Sequence, residues 1–500
     1  MAESVHLAVD LGASGGRIVA GLFDGTKIRL EEVARFPNGG VTMQNSLHWN
    51  LLGLWGHVLE GLRTSQAKYG TGVKSIGVDT WGVDYGLLGR GGELLGNPHH
   101  YRDRRTEGIM PKLFQKVSRK EVFAATGLQF MPFNTLYQLY AAKLQNAASL
   151  EHAERLLMMP DLFHWLLTGI ATNERTNAST TQCYDPQKKT WAAGLLEQLG
   201  LPTSIFGPLI DPGTPIGPLL PSVASETGLK DVLVVAPGTH DTASAVLAVP
   251  AMNVEGKPPK WCYISSGTWA LMGVDWPQPI INEKVLQLNY TNEGGVGGTS
   301  RVLKNITGLW LMQECQRIWS REGHHYSWED LTRQADGATP LLSFVDPDHP
   351  DFTAPADMPA AIRHYCQRTS QPTPESHGQV VRCVLESIAL KSRYVLGGLE
   401  TLTGETLETV HIVGGGVQNH LLCQMISSSC IRPVLAGPVE ATAIGNVMVQ
   451  LMAAGAVGNI AQARQIIRQS FPLVEFQPRD MGAWDDAFDR FLELLQPASA

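Results

Sequence analysis

The pattern that most constrains this chain occurs twice: a short apolar strand, a turn rich in glycine and serine, and a second apolar strand. The first copy is VHLAVD, the turn LGASGGR and the run from Ile18 to Phe23; the second is WCYISSGTWALMGVDW, from Trp261 to Trp276. Apolar runs joined by such a turn read as hairpins. After the first hairpin, Lys27 to Phe36 continues as a third strand, LLGLWGHVLEGLRT has helical spacing, and SIGVD, Ser75 to Asp79, returns as a strand. A helix between two strands implies a crossover to a parallel neighbour. In the second half VHIVGGGVQNHLL, from Val410, answers SIGVDTWGVDYGLL as a strand running into a glycine turn. Units that recur in this way predict a duplicated α/β domain whose two copies face each other across a cleft.

Length agrees, because 500 residues exceed what a single core supports. The turn-forming stretch AMNVEGKPPK, Ala251 to Lys260, is the expected connection, giving domains over 1–250 and 251–500. Leu136, Leu139, Ala142 and Leu144, and then Leu156, Leu157, Leu162 and Leu166, predict two helices that pad the first domain. A formal charge of −8 excludes a general nucleic-acid surface, so any anion must be held locally. Seven cysteines without a CxxC pair suit a reduced compartment and read as buried free thiols, with a Cys366–Cys383 pair as the alternative if the fold brings the two together. The start, Met-Ala-Glu-Ser, lacks a signal-peptide pattern and no apolar run is long enough to span a bilayer, so a cytoplasmic protein without membrane partners is expected.

The chemistry centres on GTHDTASAV, Gly238 to Val246, which follows the apolar strand LVVAP. Asp241 stands at the start of an apolar helix, where it reads either as a helix cap or as a carboxylate that accepts a proton from a bound alcohol. Glycine-rich turns let successive backbone N–H groups converge on an anion. The hairpins Ala13–Arg17 and Ser265–Trp269 are therefore candidates to grip a polyphosphate, with hydroxyl donors from Ser14 and Thr268. No GxxxxGK[ST] loop, protein-kinase catalytic loop or HExxH pair is present, which excludes the commonest alternatives. Asp10, closing the first strand, is placed either to hold magnesium through water or to bond the amides of its own turn.

These segments resemble the FGGY carbohydrate kinase family, in the superfamily of actin, hexokinase and the heat-shock chaperones. The resemblance rests on VDLGASGGR, SIGVDTWGVDYGLL, YRDRRT, FNTLYQLYA, HDTASAV, SSGTWALMG, TNEGG, RVLKNITGLWLMQ, HIVGGGVQN and AGPVEATAIGN, spread in order over nearly the whole chain. It implies two ribonuclease H-like domains, each a mixed sheet flanked by helices, with the active site in the interdomain cleft. It implies ATP as co-substrate, Mg2+, and transfer of the γ-phosphoryl group to a ketose, in members with these motifs the 1-hydroxyl of L-rhamnulose; L-fuculose and L-xylulose are the alternatives, and a non-catalytic sugar and nucleotide sensor is the alternative of a different class. By the same resemblance Ala13, Ser14, Gly15, Gly16, Arg17, Thr268, Gln313 and Gly415 contact ATP, Gly82, His240, Asp241, Thr242 and Asn305 line the sugar pocket, and Asp241 is the proton acceptor. A monomer or weak homodimer is expected.

From the residues alone, Gly82 is equally a structural turn, His240 a cap or core histidine, Asn305 a turn amide, and Trp81 either a sugar platform or core. Tyr101, Asp103 and Arg105 resemble an aromatic-x-Asp-x-Arg element that relatives carry near the sugar. The chain departs from the family in having Ala13 and Ser14 where many relatives have threonines, Gly15 where some have serine, and a longer stretch over Val254–Lys260.

Overall fold

In the computed structural model, residues 3–253, 256–353 and 355–495 are described. Two positions of the turn-rich connection, 254 and 255, lie outside them. The chain forms two compact units, the first made of 1–252, 275–302 and 440–471, the second of 253–274, 303–439 and 472–500.

The first unit is built on strands β1 (Ser4–Leu11), β2 (Gly15–Phe23), β3 (Ile28–Pro37), β4 (Val73–Thr80), β5 (Pro215–Pro218) and β6 (Leu233–Val235), in the sheet order β5-β6-β4-β1-β2-β3. β1 and β2 pair antiparallel as the expected hairpin, and β4 and β6 continue the sheet parallel to β1. Seven of the eight residues of β1 are buried, which is the pattern of a central strand covered on both faces. Between β3 and β4 runs helix α1 (Leu51–Tyr69), with Leu51, Leu54, Val58 and Leu62 buried at helical spacing and Asn50 capping the first turn.

The second unit repeats the scheme. Six of the seven strands of its sheet, β7 (Trp261–Ser266), β8 (Trp269–Trp276), β9 (Ser300–Thr307), β10 (Thr409–Val413), β11 (Val434–Ala436) and β12 (Val474–Phe476), follow the order β9-β8-β7-β10-β11-β12. Again an antiparallel hairpin, β7–β8, is joined to a parallel strand, β10. In both sheets a further parallel strand follows and an antiparallel one closes the edge. The recurrence read in the sequence is thus a repeat of topology.

Three further helices are α2 (Asp241–Leu247) after β6, α3 (His377–Thr403) before β10, and α4 (Ala441–Ala453) after β11. α2 and α4 both belong to the first unit and pack face to face. At the crossing, a Cβ on Gly445 would stand 1.8 Å from the backbone oxygen of Ser244, so only glycine permits the approach.

One expected element differs. Leu156 and Leu157 lie in a strand, Arg155–Met158, antiparallel to Tyr85–Leu88, and the helix begins only at Met159. Pro160, in the first turn of that helix, suits a helix start and not its interior. Among the described residues no helix is long and apolar enough to cross a membrane.

Candidate active site

Adjacent parallel strands of the first unit end on acidic groups. Asp10 in β1 is the register partner of Asp79 in β4, and Thr80 bridges to His240, with its N–H donating to the Thr239 carbonyl at 2.9 Å. The next residue, Asp241, opens α2. The carboxyl ends of parallel strands are where α/β sheets bind ligands, because loops and helix N-termini gather there.

Asp79 is fully buried. Its Oδ2 accepts from Asn446 Nδ2 at 2.5 Å, while its Oδ1 has no hydrogen-bond partner. Burial pushes its pKa well above the ordinary value, and the charges of Asp10 and Asp241 push it further. Asp241 is shifted the same way, first by burial and then by Asp10, against the opposing influence of His240. The three acidic groups therefore concentrate negative charge, which Asp79 relieves by being held toward its neutral form.

Arg17 supplies part of the balance. Its Nε and Nη2 donate to Asp10 Oδ2 at 2.9 and 2.7 Å, and its Nη1 pairs with Glu440. Burial works against the Arg17 charge, but Asp10 and Glu440 outweigh it and hold the pKa above its ordinary value. The turn ahead of Arg17 is closed by Gly12 N–H donating to the Gly15 carbonyl at 2.9 Å. Ala13 is half-buried and Ser14 exposed at its tip. Gly16 has a packing reason to be glycine: a Cβ there would meet the Phe36 ring at 2.2 Å.

His240 caps α2 and is buried. Its Nδ1 lies 2.9 Å from Arg301 Nη2 and 3.3 Å from Glu293 Oε2, and its Nε2 lies 3.5 Å from Asp241 Oδ1. Thr242 Oγ1 donates to the same Oδ1 at 3.0 Å. Neither contact engages Oδ2. Asp241 keeps 30% of its side-chain surface exposed, which suits a group that must meet a ligand. It is the first residue within the helix, with His240 in the cap position, so the plain cap role is not the one Asp241 plays.

Gly82 is fixed from behind, since a Cβ would stand 2.8 Å from Thr180 Oγ1. The next residue, Val83, is held at φ 67°, a left-handed conformation that a β-branched residue adopts only under constraint. Thr180 Oγ1 accepts from its N–H at 2.9 Å and its carbonyl accepts from Thr135 Oγ1 at 2.6 Å. Trp81 is core, its ring 3.9 Å from that of Trp49 and tilted by 33° to it, and both indoles donate to Asp84 Oδ2. Asp84 also accepts from Tyr101 N–H and from Gln138, whose carbonyl takes Arg105 Nη2 at 2.5 Å. Burial raises the Asp84 pKa to about 6. Asp103 binds backbone N–H groups of Leu47 and Arg105, a structural task.

In the second unit Thr268 lies in the turn of the β7–β8 hairpin, and its carbonyl accepts from Trp310 N–H, at the start of the helix that carries Gln313. Gly415 follows β10 and is exposed; a Cβ there would meet nothing. Its neighbours are tight against the hairpin, for a Cβ on Gly416 would stand 1.9 Å from Ser266 Oγ. Asn305 lies within strand β9 and not in a turn. Cys366 and Cys383 are buried free thiols in hydrogen-bonding contact.

Among the described residues no three His, Cys, Asp or Glu side chains form a metal cage. Magnesium does not need one, since it is commonly held by one or two carboxylates, water and substrate phosphates. Asp10, near the end of β1, is one carboxylate of that kind.

Asp79, Asp84, Glu293, Arg301 and Glu440 were not singled out by the sequence. Asp79 carried a usable signal, because SIGVD ends in an acid as VHLAVD does. Glu293 and Arg301 sit inside TNEGG and RVLKNITG, but only the folded chain brings them to His240.

The architecture is that of two-domain sugar kinases. It is similar over 98% of its length to a ligand-bound xylulose kinase from Lactobacillus acidophilus, with TM-score 0.80, 16% identity and 97% of that chain covered. It is also similar to an ADP-bound glycerol kinase from Plasmodium falciparum, with TM-score 0.76, 13% identity and 99% of both chains covered. The N-terminal domain of the FGGY family of carbohydrate kinases matches residues 5–248 and its C-terminal domain matches 262–454. The chain belongs to that family. A rhamnulokinase of Bacteroides thetaiotaomicron is 44% identical over 97% of this chain and 98% of the relative, and one of Bacillus subtilis is 38% identical over 95% and 96%.

Proposed function

We propose that this chain transfers the γ-phosphoryl group of ATP to the 1-hydroxyl of L-rhamnulose, giving L-rhamnulose 1-phosphate and ADP in L-rhamnose catabolism. The near full-length similarity to proteins named rhamnulokinase supports the substrate. The observation that carries the chemistry is Asp241 at the head of α2, with Oδ1 facing Thr242 and His240 and the side chain part-exposed. As the sugar oxygen bonds to the γ-phosphorus and the bridging P–O bond to ADP breaks, the hydroxyl proton passes to Asp241.

Gly82, His240, Thr242 and Asn305 line the ketose, while Ala13, Ser14, Gly15, Gly16, Arg17, Thr268, Gln313 and Gly415 hold the nucleotide. In this reading 1–250 carry the sugar site and the first phosphate hairpin, and 251–500 carry the rest of the nucleotide site. Asp10 would hold Mg2+, and the ion would supply neutralisation of phosphate charge. Arg17 then exchanges part of its pairing with Asp10 and Glu440 for phosphate oxygens. The enzyme works in the cytoplasm as a monomer or weak homodimer, consistent with seven buried free thiols. A coupled ADP-release assay with L-rhamnulose, L-fuculose, L-ribulose, L-xylulose and glycerol tests the reading. It predicts the highest kcat/KM for L-rhamnulose; a preference for another acceptor overturns the substrate.

A further inference from the structure

Two ionised side chains in this fold have no task in the chemistry above. Arg301 has no exposed surface and Glu293 almost none, yet both are turned toward His240. Burying an ion pair is unfavourable unless its hydrogen bonds are nearly all met. Arg301 is anchored by Nε donating to the Gly294 carbonyl at 2.9 Å and by an ion pair of Nη2 with Glu293 Oε2 at 3.1 Å, while its Nη1 and Glu293 Oε2 have no hydrogen-bond partner, so the pair is kept at a cost. The same Nη2 stands 2.9 Å from His240 Nδ1.

A guanidinium is always charged and has no lone pair to offer, so at that distance it can only donate. The imidazole nitrogen that receives it must be unprotonated. Glu293 competes for an Nδ1 proton from 3.3 Å, a weaker geometry than the 2.9 Å contact to Arg301. The ring proton is thereby placed on Nε2, which faces Asp241 Oδ1 at 3.5 Å. Behind the ring, the His240 backbone N–H donates to Thr176 Oγ1, and that hydroxyl donates to Glu174, so the main chain is fixed as well.

We propose that Arg301, held by Glu293, is a positioning residue that keeps His240 in its Nε2–H tautomer, so that the ring N–H and Thr242 both point at Asp241 Oδ1 and Oδ2 is left to receive the substrate proton. The functional part of this rests on the kinase reading above; the tautomer does not. A histidine whose far nitrogen is pinned by a buried partner presents a fixed face to its target.

The direct test is the imidazole 15N spectrum of the ligand-free full-length protein at neutral pH, with the His240 signals assigned by their loss in His240→Asn. The expected spectrum has the proton on Nε2 and a bare Nδ1. A proton on Nδ1, bonded to Glu293, overturns the proposal. Steady-state kinetics supply the second test: Arg301→Met should lower kcat by roughly 10- to 100-fold, the range for residues that orient a functional group from behind, while each KM changes far less. A folded Arg301→Met protein with unchanged kcat, or with a raised KM alone, also overturns it. If that variant does not fold, the wild-type spectrum decides. Absence of L-rhamnulose phosphorylation by the wild-type protein would count against the kinase reading and leave the tautomer result standing.

Discussion

Asp10 and Asp79 are register partners on neighbouring parallel strands, yet they are balanced differently: Asp10 Oδ2 receives a guanidinium, whereas Asp79 receives one neutral amide and keeps an oxygen without a partner. Asp79 is thus a buried acid that folding holds against its own ionisation.

Its stability effect follows in sign from the raised pKa. A carboxyl group whose folded pKa exceeds the ordinary 3.8 favours the fold below that pH and loses that contribution as pH rises toward the folded value. Asp79→Asn should therefore be more stable than wild type at pH 7, by about 1.4 kcal/mol for each unit of raised pKa. The gain should shrink toward pH 4. Urea unfolding at several pH values measures it, and a destabilised variant at pH 7 would refute the assignment.

Arg17 is the cation that lets Asp10 and Glu440 coexist. Arg17→Met should cost about 2 kcal/mol of stability, the scale of hydrogen bonds to charged groups. It should also raise KM for ATP, because the same guanidinium is assigned to phosphate. Melting curves and ATP titrations at saturating sugar separate the two effects.

The α2–α4 crossing gives a test of the fold near the site. With 1.8 Å between the Cβ of an alanine at 445 and the Ser244 oxygen, Gly445→Ala must spread the helices, at about 3 kcal/mol. Since α2 carries Asp241, kcat should fall along with the unfolding midpoint.

Burial and the Asp10 charge raise the Asp241 pKa, and a general base works only when ionised. Activity should accordingly fall as pH drops, with an acid limb in kcat/KM above the ordinary 3.8. Asp10→Asn removes one of the causes, so it should move that limb to lower pH.

Much of the fold could be read from the chain because hairpins and parallel strands leave local signatures. VHLAVDLGASGGR and WCYISSGTW show apolar runs and turn glycines within a few residues, and both became hairpins. The Leu156–Leu157 segment reads as helical in the sequence because a short apolar run fits either period, and its pairing with Tyr85–Leu88 is a long-range fact. Of the site residues, Asp10, Arg17, His240, Asp241 and Thr242 meet in one unit. The reasons behind several of them were hidden: Gly82 answers to Thr180, Trp81 to Trp49 and Asp84, and His240 to Arg301, and none of these partners is close in sequence except Asp84.

The most direct test of the account is the Asp241→Asn variant assayed with L-rhamnulose and Mg-ATP, following sugar phosphate by 31P NMR. The amide keeps the shape and can still accept from Thr242, so a melting point near wild type is expected, with kcat lower by about 10²- to 10⁴-fold, the usual contribution of a general base. Sugar phosphate formed at the wild-type rate by a folded Asp241→Asn protein would contradict the role given to this carboxylate.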